Sequence, residues 1–487
     1  MKTSVLRDFF SPSAIAQAKE KKEIVYPPFK SDKLSKLCRF LALFSRSGKY
    51  TAVLIALSAV FIFTNHCVIG VYVLAIIASF YLLVSSDLMP SAEALITICC
   101  FAIKLKESTP VFLKIWPLGI PTVIFFFLHF LIYPPKLRAH PTSLGMLVTS
   151  LAIVIGGAGV IYPRTYFSPT SLFYMAMLGF FMLLISLYLA ENLRENGEYS
   201  ITERFSRIMI VPIYVITLCL VFEYFTRRAE FLAEMSVIPF QWRNNASTIL
   251  MLSMPFAFGR SVKKFGYFFL GIYTYIAILF TGSRGGLIFG AAELALCLLT
   301  MLIIDRKHRK IIIAVIILML AGVAVAGKFL LETLSYTISR LLDPDENTIR
   351  IELYKRGIND FLSSPVVGRG LAYMGNRDVH HSAKHVLCWY HNSIIQVAAS
   401  MGIIGICAYT FLNIQRVKTF VKNISLFSVS AFLSFIGLEM MSLVNPGIFA
   451  PVPYLLYVTI YFILMNNAST GGKDEIRELM KKPEKKQ

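Results

Sequence analysis

Apolar residues in this chain are gathered into long runs separated by short polar turns. The runs fall at roughly 50–66, 68–86, 90–104, 113–133, 143–161, 170–190, 207–225, 246–259, 264–281, 285–304, 311–330, 392–413, 424–444 and 451–466. Most reach about 17 to 22 residues, the length a helix needs to cross about 30 Å of hydrocarbon. They predict an all-α polytopic membrane protein with about 12–14 transmembrane helices by the hydropathy criterion. The runs at 90–104 and 246–259 are short, which makes them candidates for re-entrant or tilted segments.

Two connections are longer than the rest. One covers about 226–245 and contains Arg227, Arg228, Trp242 and Arg243. The other, 331–391, is the longest polar stretch between runs and reads as partly helical. Thr348 is placed to cap a helix over about 349–362, with Ile349, Leu353, Gly357, Ile358 and Phe361 on one side. Ser363-Ser364-Pro365 should stop it, and residues 366–370 read as a short extended piece ending in a glycine turn. A loop of this length with structure of its own is usually functional. No internal repeat is evident, which argues against a transporter built from two related halves.

Composition confirms the solvent and charge gives the orientation. Of 487 residues, 56% are hydrophobic and 16% charged, with a mean hydropathy of +0.65, too much apolar surface for a water-soluble domain to hide. The net charge of +20 raises nucleic acid as a partner, but its distribution argues against one. The basic residues lie in short clusters beside apolar runs: eleven Lys/Arg against four Asp/Glu through residue 49, then Arg260-Lys263-Lys264, Arg306 to Lys310, Arg416-Lys418-Lys422 and the tail. That is the positive-inside pattern, which places both termini and these loops in the cytoplasm. One short loop, Lys104-Leu105-Lys106, falls on the outer side and breaks it. No cleavable signal peptide is evident, so the run near Tyr50 is expected to stay as a signal anchor. The eight cysteines include no C-x-x-C pair and most sit inside apolar runs, so no disulfide framework is expected.

Three polar places could carry chemistry, all on the predicted outer side. Thr281-Gly282-Ser283-Arg284-Gly285-Gly286 joins two runs. Its glycines, the following helix's free N–H groups and the Arg284 cation would suit a phosphate, although a plain hairpin turn with a snorkelling arginine fits as well. Arg350 opens the loop helix with Tyr354, Lys355 and Arg356 nearby, where the bland reading is a solvated helix face. His380, His381, His385 and His391 form the third group. His381 and His385 have the spacing of a metal pair, but no acidic or cysteine ligand completes a set, so neither a metal nor a cofactor is expected. His391, at a membrane boundary beside Asn392, is a candidate general base, with Asp360 and Asp378 as competitors. The intramembrane acids Glu223, Glu293 and Glu439 read as structural or pocket-lining.

The order of these elements is more specific than any one of them. T-G-S-R-G-G, two runs, R-x3-Y-x2-G-I-x2-F-x3-P-x2-G-x-G and H-N-S-I-I-Q-x4-M-G-I-I-G follow in turn. This resembles the family of O-antigen ligases and O-antigen or capsule polymerases over roughly residues 205–465. The chain then divides into a cytoplasmic basic segment (1–48), amino-terminal transmembrane helices (49–204), the ligase/polymerase-like region (205–466) with its extracytoplasmic loop (331–391), and a cytoplasmic tail (467–487).

The resemblance implies a large C-type glycosyltransferase architecture in the plasma membrane of a bacterium. It also implies a donor glycan on undecaprenyl diphosphate, an acceptor glycan, and other polysaccharide-assembly membrane proteins as partners. Arg284 and Arg350 match the arginines thought to hold the diphosphate, and His391 matches the histidine thought to assist the acceptor hydroxyl. Arg243, Tyr354 and Asn392 are the further candidates to line this site. An Asn-Pro-Asn motif frequent in the family reads Arg243-Asn244-Asn245-Ala246 here, which leaves the two asparagines without an assigned role. The activity implied is metal-independent, inverting transfer, as polymerase or as ligase. A flippase of lipid-linked sugar would instead place its polar groups at the membrane midplane.

Overall fold

The computed structural model describes residues 24–27, 31–101, 105, 111, 114–157, 169–193, 200–238, 242–375, 389–445, 449, 452–467 and 472–481. Among them every regular element is helical. The chain opens with α1 (Asp32–Arg46), α2 (Gly48–Phe63), α3 (Cys67–Val84), α4 (Met89–Phe101) and α5 (Ile120–Ile132). Next come α6 (Ser143–Ala152), α7 (Pro169–Tyr174), α8 (Met182–Asn192), α9 (Ile201–Ile208), α10 (Val211–Thr226) and α11 (Arg228–Glu234). The carboxy-terminal half holds α12 (Arg243–Ser261), α13 (Gly266–Phe280), α14 (Arg284–Ile304), α15 (Arg309–Thr333), α16 (Ser335–Leu342) and α17 (Pro344–Ser363). It ends with α18 (Ser393–Lys422), α19 (Leu426–Ser442), α20 (Val452–Asn467) and α21 (Gly472–Leu479).

Six of the described helical stretches are long and apolar enough to cross a membrane, α1 and α2 form a pair bent by 76°, and shorter apolar helices of 10–17 residues complete the set. The protein is a polytopic α-helical membrane protein. In hydrocarbon a helix is the natural solution, because it satisfies every backbone polar group from within.

The chain forms two compact units, Met1–Lys136 with Glu191–Arg227, and Leu137–Ala190 with Arg228–Gln487. In the first, buried Arg204 donates to buried Asp87 at 2.9 Å and to the Ser45 carbonyl at 3.0 Å. This pair draws the ends of α1, α3 and α9 together, as alternating crossings require.

In the second unit α12 is central. Every residue from Ala246 to Gly259 is buried, enclosed by α13, α14 and α19. The apolar run here looked short because Asn244, Asn245, Ser247, Thr248 and Ser253 dilute it. It is instead a 19-residue helix, about 28 Å long. Protein rather than lipid surrounds it, so polar side chains are tolerated. α15 is the opposite case: of its 25 residues only Ile312 and Thr333 are buried, and an apolar helix exposed on most sides belongs in lipid.

Two details of the long loop differ from the sequence reading. The loop helix begins at Pro344, not after Thr348; proline suits the first helical position, where its missing N–H is not needed. Thr348 donates its hydroxyl to the Pro344 carbonyl at 2.7 Å, inside the helix. Residues 365–370 are a turn rather than an extended piece, with Gly368 at φ +72° and Gly370 at φ +95°.

That turn fills a break in α18. At Gly402 (φ 62°, ψ −156°) the helix is interrupted, and its exposed backbone groups pair with the turn. Ile403 and Ile404 N–H donate to the Pro365 and Val366 carbonyls at 2.8 and 3.3 Å, while Arg369 and Gly370 N–H donate to the Ala399 and Ser400 carbonyls at 2.7 and 3.0 Å. The short first segment of α18 is thereby locked to the end of α17.

Gly368 and Gly402 should not tolerate a side chain. A Cβ on Gly368 would lie 2.2 Å from the Ser400 carbonyl carbon, and one on Gly402 would lie 2.4 Å from that of Val366. Gly368→Ala or Gly402→Ala should each cost at least about 1–3 kcal/mol of stability, read as a lower unfolding midpoint of the detergent-solubilised protein. Gly322→Ala on α15, where nothing lies within 4 Å of an added Cβ, should cost nothing. Equal midpoints for all three would contradict the stitched break.

Candidate functional site

The T-G-S-R-G-G turn forms the capped start of α14. Gly282 takes φ +70°, and Ser283 caps α14 by accepting from Gly286 N–H at 3.1 Å. The Ser283 hydroxyl donates its proton to Asn244 Oδ1 at 2.9 Å. Asn244 therefore fixes this turn against the start of α12, which gives one unassigned asparagine a positioning part. The carbonyl of the other, Asn245, accepts from the Tyr454 hydroxyl at 2.9 Å. Gly286 must lack a side chain, because a Cβ would come within 2.8 Å of Ser247 Cβ. Arg284, the first helical residue, donates through Nη1 to the Arg340 carbonyl.

Arg340 was not foreseen. It lies on α16, where its Nη1 donates to the Tyr336 hydroxyl at 3.1 Å and its guanidinium sits 5.6 Å from the Tyr336 ring centre. Arg243, at the start of α12, donates to the same hydroxyl at 3.3 Å. Ser236 anchors this helix, its oxygen accepting from the Ser335 hydroxyl at 3.0 Å and from Tyr336 N–H at 3.2 Å. Arg243 and Arg340 thus meet on one tyrosine, and Arg284 joins them through the Arg340 carbonyl.

Arg350 and His391 are gathered by the turn that ends α19. Arg350 Nη1 donates to the Val444 carbonyl at 3.3 Å, and Asn392 Nδ2 donates to the Leu443 carbonyl at 3.1 Å. Asn392 Oδ1 also caps α18, accepting from Ile394 and Ile395 N–H at 2.9 and 3.1 Å. The Val444 side chain faces Gly285, whose Cβ would lie 2.9 Å from it. The Leu443–Val444 turn therefore touches the neighbour of Arg284, Arg350 itself and the neighbour of His391. Tyr354 is half-buried with no hydrogen-bond partner among the described residues, so no contact ties it to this cluster. His380, His381, His385 and Asp378 lie outside the described residues.

All of this sits at the end of the second unit away from Arg260, Lys263, Lys264, Lys307 and Lys418. Among known proteins, residues 267–410 match the family model described as O-antigen ligase. The chain carries an O-antigen ligase family domain. No curated protein and no solved structure matches it. The matched span includes Arg284, Arg340, Arg350 and His391, and the match supports an activity of the O-antigen ligase/polymerase type in general.

Within this domain His391 is held in an unusual state. Its backbone is left-handed, at φ +55°, a conformation that costs a non-glycine residue energy. Its Nδ1 is buried with no hydrogen-bond partner among the described residues. Burial and, secondarily, the Arg350 charge push its pKa below the ordinary histidine value, because both disfavour an imidazolium. The ring is therefore a free base at neutral pH, as proton acceptance requires. Asp360, the competing carboxylate, is pushed up by burial, an effect opposed by the hydrogen bond from Tyr390. It accepts from the Tyr390 hydroxyl at 2.7 Å and so has a structural partner.

The depressed histidine can be read without any assay of function. Between its lowered folded value and the ordinary unfolded value near 6.5, the unfolded chain binds the proton more readily. Stability contributed by this residue is therefore present above about pH 6.5 and lost as pH falls through that window. Acylation of His391 by diethylpyrocarbonate, followed by peptide mass spectrometry, should have a half-reactivity pH below about 6.5. Arg350→Gln should move that midpoint upward, by only part of the shift since burial remains. An unchanged midpoint would show that the two residues do not sense each other.

Proposed function

We propose that this protein is a membrane glycosyltransferase that polymerises a cell-surface polysaccharide. It would transfer glycan from undecaprenyl diphosphate to an acceptor sugar hydroxyl on the outer face of the bacterial cytoplasmic membrane. The observation that carries this reading is the gathering of Arg243, Arg284 and Arg340 around α16, with Arg350 beside His391, at the end opposite the basic loops. Basic loops mark the cytoplasmic side, so this end would face outward with both termini inside. No nucleotide is expected there, which makes a lipid-linked donor the natural energy source.

In this reaction the acceptor oxygen forms its bond to the anomeric carbon as the carbon–oxygen bond to the diphosphate breaks. The hydroxyl proton passes to the His391 imidazole, and the electron pair leaves on the lipid diphosphate. Charge grows on the leaving group in the transition state, so fixed guanidiniums stabilise that state more than the ground state. Direct displacement inverts the anomeric centre, and the cations perform the charge neutralisation for which a divalent ion would otherwise serve.

Donor binding and transfer should separate by residue. His391→Ala should slow single-turnover transfer by about 10²–10⁴-fold while leaving donor affinity nearly intact. Arg284→Lys should weaken donor use almost as much as Arg284→Ala, since an ammonium cannot copy the planar fork. Either arginine loss should cost about 2–5 kcal/mol if its phosphate partner is desolvated. With a chelator present throughout, parental transfer by His391→Ala, or a strict need for one divalent ion, would overturn this mechanism.

The gathered residues would hold the donor in either activity, so the glycans of cells decide between polymerase and ligase. Cells lacking the protein should carry single repeat units on the normal acceptor. Long polymer stranded on the lipid carrier would instead identify a ligase passing glycan to a lipid-core or protein acceptor.

A further inference from the structure

The hydroxyl of Tyr336 has an unspent proton. A phenol oxygen offers two lone pairs and one O–H. Arg243 and Arg340 each donate to it, at 3.3 and 3.1 Å, which occupies both lone pairs. Among the described residues no acceptor takes the O–H. Two cations on one oxygen polarise that bond, making the group a stronger hydrogen-bond donor toward an anion.

The helix that carries the group is built to hold it in place. Ser236 fixes its first turn from the side, and the Arg284 guanidinium binds the Arg340 carbonyl. The Arg340 ring contact with Tyr336 restrains both side chains. A donor hydroxyl flanked by two guanidiniums, one carbonyl away from a third, matches an anion with more than one phosphoryl group.

We propose that Tyr336, with Arg340 and Arg243, forms a second phosphoryl subsite beside Arg284, which selects a lipid diphosphate over a lipid monophosphate. The inference rests on the glycosyltransferase reading above and adds the Tyr336 hydroxyl to the cations that reading uses. Tyr336 is a binding residue here, donating its O–H to a phosphoryl oxygen, while Arg243 and Arg340 orient it and add charge.

The test uses the full-length protein in phosphatidylcholine nanodiscs, with undecaprenyl diphosphate and undecaprenyl monophosphate as the probes. The parent should bind the diphosphate at least about tenfold more tightly. Tyr336→Phe keeps the ring and its arginine contact but removes the O–H. It should lose about 10- to 100-fold in diphosphate affinity, the range for a hydrogen bond to a charged group. Its monophosphate affinity should not change. Arg340→Gln should fall the same way and His391→Ala should not. Full diphosphate preference in Tyr336→Phe, with the parent binding normally, would overturn the subsite and leave the glycosyltransferase reading standing. A parent that binds neither probe would overturn both. Phosphatidylglycerol nanodiscs that displace the diphosphate from the parent but not from Tyr336→Phe would show a headgroup site and overturn the selection.

Discussion

In hydrocarbon no water is available to satisfy a backbone amide, and each orphaned group costs several kcal/mol. Irregular chain is therefore confined to helix ends or to places where another segment supplies the missing partners. The second unit obeys this at its most demanding point. α18 is broken at Gly402, and the turn at 365–370 returns the lost hydrogen bonds with its own carbonyls and N–H groups. That exchange ties the end of the helix bearing Arg350 to the segment bearing His391, so the same repair that makes the break tolerable also brings two site elements into register.

Gathering cations is costly in its own way. Four arginines at one end of a bundle repel one another, and the starts of α12, α14 and α18 add the positive ends of three helix dipoles. Hydrogen bonds to carbonyls and to the Tyr336 hydroxyl spread this charge without cancelling it. In the proposed reaction this uncancelled positive potential would receive the donor's diphosphate. It also keeps His391 unprotonated, because its ring is buried beside Arg350. Burial is the larger cause of that lowered pKa and the Arg350 charge adds to it.

Much of this was legible in the sequence, and the exceptions have physical reasons. Long apolar runs reveal membrane helices because lipid demands uniform hydrophobicity. Arg284 and His391 stood out as polar groups at run boundaries and Arg350 as the residue opening the loop helix, and their order carried the family resemblance. α12 was underestimated because a helix buried in protein need not be apolar throughout. The Gly402 break was hidden inside M-G-I-I-G, which reads as continuous helix until its partner turn is seen. Tyr336 and Arg340 gave no signal, since a tyrosine and an arginine four residues apart are ordinary on any exposed helix. The Leu443–Val444 turn was equally silent, as it acts through backbone carbonyls that every residue possesses.

Whether these scattered residues serve one ligand is best decided by direct observation. Cryo-electron microscopy of the full-length protein, in nanodiscs with undecaprenyl diphosphate added, should show diphosphate density within hydrogen-bond reach of Arg284 and of at least one of Arg340 and Arg350. The His391 ring should lie beside the space where the first sugar would attach. Diphosphate bound at the opposite end, among Lys264, Lys307 and Lys418, would contradict a single outer-face site.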